Sequence, residues 1–193
     1  MTDASLDLEI QPLTPANFDA LAALFGEGGD PRWCWCAFWR LRGSAAARSE
    51  ADQNRELLRG LAAGDGVAPG LVAMRAGRAV GWVSLAPRED LPRLVHSRVL
   101  APVDDRPVWS IVCFVVSKPE RGRGVGTALL DAAVEYARRR GATTVEAYPM
   151  TAGSAPTGTV SMFERAGFEV VATRQSTPSS RLRPIMRRDL PGR

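Results

Sequence analysis

Histidine, lysine and cysteine are nearly missing from this chain. Among 193 residues His96 is the single imidazole and Lys118 the single lysine, and cysteine occurs three times, as Cys34, Cys36 and Cys113. A zinc site draws paired Cys and His ligands at short spacing. A Cys-x-Cys with one distant partner and one histidine does not supply them, so no metal is expected. The odd cysteine count also gives no disulfide framework, which suits a reducing compartment. No run reaches the roughly 20 apolar residues of a membrane helix. Met1 to Ile10 carries Asp3, Asp7 and Glu9 where a secretory leader would place basic and then apolar residues. The expectation is a cytoplasmic protein with no membrane partner.

What is abundant is arginine, and the net charge is +4. The positive residues gather at Arg138-Arg139-Arg140 and in the tail, Arg181, Arg183, Arg187, Arg188 and Arg193. No aromatics interleave them to stack on bases, so a solvated basic face is expected and no nucleic-acid partner. A length of 193 residues with 45% hydrophobic content fits one domain over 1–193.

The most informative stretch is Arg121-Gly122-Arg123-Gly124-Val125-Gly126, between a strand-like run, Ile111 to Val116, and a helix-like run, Thr127 to Arg140. Glycines permit backbone angles closed to other residues and let a ligand approach the main chain. A helix start adds unpaired N–H groups and partial positive charge, a place for phosphate. A nucleotide-triphosphate loop would continue Gly-Lys-Ser/Thr, but Gly126 is followed by Thr127 and Ala128. A dinucleotide loop would read Gly-x-Gly-x-x-Gly. Counted from Gly122 or Gly124, its third glycine falls on Thr127 or Leu129.

The remaining pattern, Arg-x-x-Gly-x-Gly with Arg121, Gly124 and Gly126, resembles the pyrophosphate loop of the GNAT superfamily, the acyl-CoA-dependent N-acyltransferases. A second motif, Met162-Phe163-Glu164-Arg165-Ala166-Gly167-Phe168, is similar to the family's last helix and exit turn and stands in the expected order. The resemblance covers roughly Leu71 to Leu190. It implies an α/β fold with a mixed, mostly antiparallel sheet that splays between strands 4 and 5, flanked by helices. It also implies acetyl-CoA as co-substrate and direct attack of an amine on the thioester. The cofactor-binding residues would be Phe114 and Val116 through their main chain, the segment Arg121, Gly122, Arg123, Gly124, Val125, Gly126 and Thr127, and Phe163. The acceptor is expected to be a small-molecule or peptide amine, and a homodimer is compatible with the reading.

Two departures bear on mechanism. The family's frequent tyrosine acid falls on Phe163, and a frequent strand-4 glutamate base falls on Ser110. The nearest substitutes are Tyr148 and Glu146, two apart and so on one face of a strand. Tyr148, Ser110 and Glu146 are therefore the catalytic candidates, with Tyr148 as proton donor to the departing thiolate. His96 is more simply a surface residue. An acyl-CoA-binding module without turnover stays open beside the enzyme.

Other elements follow from periodicity and turn chemistry. Leu8 to Leu13 suggests a first strand, Thr14-Pro15 a helix start, and Ser44 to Leu61 a second helix. Leu71 to Arg75 and Ala79 to Leu85 suggest a hairpin. A short helix fits within Leu91 to Val99, and Gly141 fits a helix C-cap. The GNAT resemblance implies that residues 26–66 form the acceptor-side region and 174–184 the polar loop of a closing hairpin. Within the former, Trp33, Trp35, Cys36 and Trp39 are candidate acceptor-binding residues. Packing anchors are the equal alternative, since large aromatics dominate cores wherever they occur.

Overall fold

The computed structural model describes residues 8–42, 50–151 and 156–191. Its sheet has seven strands in the order β1-β2-β3-β4-β5-β7-β6. They are β1 (Glu9–Pro12), β2 (Gly70–Arg75), β3 (Arg78–Pro87), β4 (Trp109–Val116), β5 (Thr144–Ala147), β6 (Glu169–Arg174) and β7 (Arg183–Asp189). β4 and β5 pair in parallel and the other neighbours are antiparallel. The helices are α1 (Phe18–Gly26), α2 (Pro31–Cys34), α3 (Ala51–Ala63), α4 (Pro92–Val95), α5 (Val125–Arg139) and α6 (Val160–Arg165). This is the mixed α/β architecture expected from the sequence.

Most elements start and stop where local chemistry dictates. At Thr14-Pro15 a short 3-10 turn, Pro15–Asn17, precedes α1, and the Asn17 side chain accepts the Thr14 N–H at 2.8 Å. Gly141, at φ 86°, ends α5. The Ala142 N–H then folds back to the Ala137 carbonyl at 3.0 Å, as a left-handed helix cap requires. α3 occupies the later part of the expected second helix, whose residues 44–49 lie outside the described ones. The turn of helix α2 carries no periodic signal in the sequence.

Two layers pack on the sheet. α5 lays Val125, Leu129, Leu130, Ala133 and Ala137 against β3 and β4 residues including Val83, Leu85 and Ile111, all buried. Gly81 permits that approach, because a Cβ there would meet Val125 Cγ1 at 2.8 Å and Leu129 Cδ1 at 2.9 Å. On the other face α1 and α3 close over Trp82, Val72 and Cys113.

The feature that makes a site is the middle of β4. Against β3, Cys113 pairs with Ser84 and Ile111 with Leu85, which leaves Val112 as an extra residue. Such a bulge bends the strand and resets the alternation of side chains. Accordingly Ile111 faces the α5 layer while Val112 and Cys113 are both packed on the opposite side. β4 and β5 pair at Trp109, Ser110 and Ile111 and no further. Beyond the bulge the two strands part.

Candidate functional site

The parting of β4 from β5 opens a cleft of about 620 Å³. Phe114 and Val116 form its floor, Arg121, Gly122, Gly124, Val125, Gly126 and Thr127 one rim, and Gly158, Thr159, Met162 and Arg165 the other. Main-chain donors converge on it. Gly122 and Gly124 have φ of 75° and 81°, so the loop is wound through conformations that favour glycine. A Cβ at either would meet nothing within 4 Å; it is the backbone angle, and the open space for a ligand, that these glycines secure. The first intrahelical donor of α5 is Ala128, whose N–H reaches Gly124 O at 3.0 Å. The N–H groups of Val125, Gly126 and Thr127 precede it and belong to the unpaired first turn.

The floor contributes in the same way. Ser117 N–H bonds Val80 O at 3.0 Å. By the alternation of an antiparallel ladder, the N–H groups of Phe114 and Val116 then turn away from β3 and into the opening. Phe114 N–H is taken by Pro156 O at 2.5 Å.

The arginines of the loop are less free than the sequence suggests. Arg121 is exposed, and its Nε bonds the Val116 carbonyl at 3.2 Å. Arg123 lies 3.8 Å from Glu120, which also faces Arg75 at 3.6 Å. Phe163, expected beside the ligand, is fully buried and packs edge-on to Phe114 and Phe168; it supports the floor from beneath. On the far rim Gly158 and Thr159 were not singled out from sequence, and Met162 and Arg165 entered only as part of the helix motif, with no place at a ligand. The available signal was Thr159, whose Oγ1 accepts the Met162 N–H at 3.3 Å as a helix N-cap.

The catalytic candidates are brought together, but behind the wall of the cleft. Ser110 Oγ and Tyr148 OH are 2.8 Å apart, and Tyr148 OH donates to Glu146 Oε1 at 2.5 Å. Arg88 donates to both Glu146 Oε1 and Tyr148 OH, and Arg187 Nε to Glu146 Oε2 at 2.7 Å. Arg187 continues to Asp104 at 2.7 Å. Ser110, Glu146 and Tyr148 are each 0% exposed. Burial, and then the neighbouring Glu146 charge, push the Tyr148 phenol well above its ordinary range. Arg88 did not stand out in the sequence, and Arg187, expected on a solvated basic face, is instead buried against Glu146 because two carboxylates answer its charge.

A second cleft, of about 370 Å³, lies on the other side of the β5 terminus. It is bounded by Phe38 and Trp39, by Arg93, Ser97, Val99 and Leu100, by Met150, by Ser176, Ser180 and Arg181 of the β6–β7 connection, and by Arg183 at the start of β7. The two clefts are neighbours, since Met150 of this one forms a β-bridge with Thr159 of the first.

The aromatic segment divides accordingly. Trp35 and Cys36 adopt left-handed φ of 46° and 53°, which turns the chain inward. Trp35 stacks on Phe18 with centroids 6.1 Å apart, and the Trp82 indole N–H reaches Cys36 Sγ at 3.3 Å. Both are core. Hydrogen bonding with Cys113 and burial push the Cys36 thiol up, as for an inert buried thiol. Trp33 is 61% exposed beside Arg32 and lines neither cleft. Trp39 alone of the four candidates reaches the second cleft, with Phe38 at its side. His96 is exposed at the end of α4. Among the described residues no three His, Cys, Asp or Glu side chains group as metal ligands, and no helix is long and apolar enough to cross a membrane.

Solved structures repeat this fold along nearly the whole chain. An apo agmatine N-acetyltransferase mutant aligns with a TM-score of 0.64 at 14% identity, covering 95% of this chain and 100% of that one. An acetyltransferase of the GNAT family from Streptococcus pneumoniae aligns at 0.59 and 16%, covering 96% and 100%. At such identities these show the fold.

The model of the acetyltransferase (GNAT) family matches residues 32–168, and the chain belongs to that family. Among curated relatives, a mycothiol acetyltransferase of Propionibacterium freudenreichii subsp. shermanii is 38% identical over 91 residues, 46% of this chain and 28% of the relative. An uncharacterized N-acetyltransferase of Methanocaldococcus jannaschii is 39% identical over 67 residues, 35% and 28%. The chain thus spans little more than a quarter of the curated relatives it matches.

Proposed function

We propose that the chain transfers the acetyl group of acetyl-CoA to an amine by direct attack of the amine on the thioester. The observation that carries this is the first cleft, where unpaired main-chain donors of the loop and helix start stand at one end and outward N–H groups of β4 at the other. Anions favour such a helix start, and the open space over Gly122 and Gly124 fits a pyrophosphate against the backbone. When bound, acetyl-CoA supplies the activated acetyl group. Val116 and Phe114 are placed to donate hydrogen bonds along the arm that follows. Because Phe114 N–H holds Pro156 O, that donor becomes available when the 156–158 segment yields.

The amine arrives through the second cleft and meets the thioester near the Met150–Thr159 bridge. Preorganised N–H donors in the opening of β4 stabilise negative charge developing on the carbonyl oxygen. The Ser110–Tyr148–Glu146 cluster is assigned a bracing role. Its phenol has no exposed surface, its O–H is already engaged as donor to Glu146, and its pKa is displaced away from that of a thiol. The cluster fixes β4 and β5 to each other immediately before they part, and the proton balance is left to water.

The second reading is an acyl-CoA-binding module without turnover, favoured by Phe163 at the acid position and by the sequestered cluster. Release of free thiol from acetyl-CoA with a panel of amines decides between them. Amine-dependent turnover supports the transferase. Saturable acetyl-CoA binding with no thiol release for any amine supports the module.

A further inference from the structure

The second cleft has a chemical character of its own. Three arginines, Arg93, Arg181 and Arg183, line it and no carboxylate does. Among the described residues none of the three side chains donates a hydrogen bond or lies in an ion pair. Arg183 is half-buried, and its Nε is inaccessible and unpartnered. Burial lowers its pKa, with no opposing contribution from an acidic neighbour. Arg93 sits 3.8 Å over the Phe38 ring, a contact that orients its guanidinium while leaving its N–H fork for another group.

An unpartnered Nε recurs at Arg40, Arg75 and Arg88, but those side chains are answered through their terminal nitrogens; among the described residues Arg55, over the Trp35 ring, shares the condition of Arg183. Arg88 and Arg187 hold Glu146, Arg40 bonds the Pro69 and Leu85 carbonyls, and Arg174, opposite Arg183 across the β6–β7 ladder, bonds the Ala101 carbonyl. A guanidinium removed from water without a partner costs free energy. A planar anion recovers it through charge-assisted, bidentate hydrogen bonds. Arg183 is also well placed relative to the reaction. The β5–β7 ladder ends at Ala147 and Met186, and beyond that end Arg183 and Met150, the latter at the bridge between the two clefts, line the same cleft.

Resting on the assignment of this cleft to the acceptor, we propose that the acceptor is an amine carrying an anionic group. The volume suits a molecule of amino-acid or dipeptide size, held by its anion at Arg183, Arg93 and Arg181 and by its body against Phe38 and Trp39. A carboxylate and a phosphate share this chemistry. A dicationic amine such as agmatine would face three uncompensated positive charges.

Thiol release is measured with amino acids, the matched amino-acid amides, aminoalkyl phosphates and diamines. The expected result is a kcat/KM for the anionic amines at least about tenfold above that of the matched amides, carried mainly by KM, with the carboxylate and phosphate arms identifying the anion. Arg183→Gln removes the preference and leaves acetyl-CoA affinity unchanged. The exposed Arg181→Gln, which disturbs no packing, weakens it in the same direction.

Turnover that favours amides or diamines overturns the anionic class and leaves the transferase standing. If no amine turns over, the transferase reading fails and the class is judged by binding. N-acetyl amino acids that raise the thermal midpoint of the parent more than their amides do, and not that of Arg183→Gln, uphold it. Equal shifts for acid and amide overturn it.

Discussion

The two clefts on either side of the Met150–Thr159 bridge are built from different materials. The first is made of main chain: glycines at positive φ, the open turn of α5 and the outward N–H groups beyond the β4 bulge. The second is made of side chains from four separated segments, with charge supplied by arginine and shape by Phe38 and Trp39. Main chain is common to every residue, so a backbone cleft keeps its ligand while side chains change. A side-chain cleft changes its ligand with each substitution. The contrast fits one fixed co-substrate and one particular acceptor.

The largest effect should come from breaking the backbone cleft at Gly124. Gly124→Glu places a carboxylate and a β-carbon at φ 81°, and acetyl-CoA affinity by calorimetry should fall at least about a hundredfold, since repulsion and backbone strain act together. Gly124→Asn sharpens this. Asparagine tolerates the left-handed region, so it should retain most binding if the backbone angle is what matters.

Next in size is the buried cluster between the clefts. Glu146→Gln leaves Arg88 and Arg187 without their shared carboxylate and should lower unfolding free energy by about 3–5 kcal/mol, as for other broken buried pairs. Chemical denaturation measures it. Tyr148→Phe should cost about 1–3 kcal/mol by leaving polar partners unsatisfied, while kcat moves by less than about threefold. A proton donor at that position would instead lose roughly a hundredfold or more. A loss of that size at unchanged acetyl-CoA affinity would return Tyr148 to the chemistry.

A smaller change is expected at the exposed loop arginines. Arg121→Ala should weaken CoA about two- to tenfold while leaving pantetheine, which lacks the phosphates, unaffected. Arg123→Ala should do less, because Glu120 already faces that charge. Equal losses for CoA and pantetheine would assign both residues to folding.

The smallest effect lies outside both clefts. At the far end of α5, Arg138 and then Arg139 hold the exposed Glu135 carboxyl down to about 2 from its ordinary 4.5. A depressed folded-state pKa contributes stability that is present above the unfolded value and lost as pH falls through the folded one. Arg138→Gln should lower the thermal midpoint slightly at pH 6, and the difference from the parent should shrink between about pH 4 and pH 2.

The same contrast explains how much the sequence revealed. The first cleft was legible because its physics is local: Gly122, Gly124 and Gly126 adjoin a strand and a helix start, so one short stretch states the device. Most strands were legible for the same reason, their β-branched runs being bounded by Gly77, Pro149 or Gly167. The second cleft depends on residues 38, 93, 150 and 183, which only the folded chain brings together. Trp35 and Cys36 looked like Trp33 and Trp39 until two successive left-handed residues turned them inward. Arg88 and Arg187 gave no signal, since a buried ion pair between distant strands has no spacing to read. The β4 bulge at Val112 likewise depends on its register with β3.

The claim that main chain between β4 and α6 receives the co-substrate is tested most directly by amide chemical shifts on titration with CoA. Saturable shifts at Gly122, Gly124, Val125, Gly126, Thr127 and Val116, with Phe114 following as it leaves Pro156, and little change at Phe38, Arg93 and Arg181, are the expected result. Loop amides that stay fixed while CoA binds, or shifts centred on the second cleft, would contradict the account.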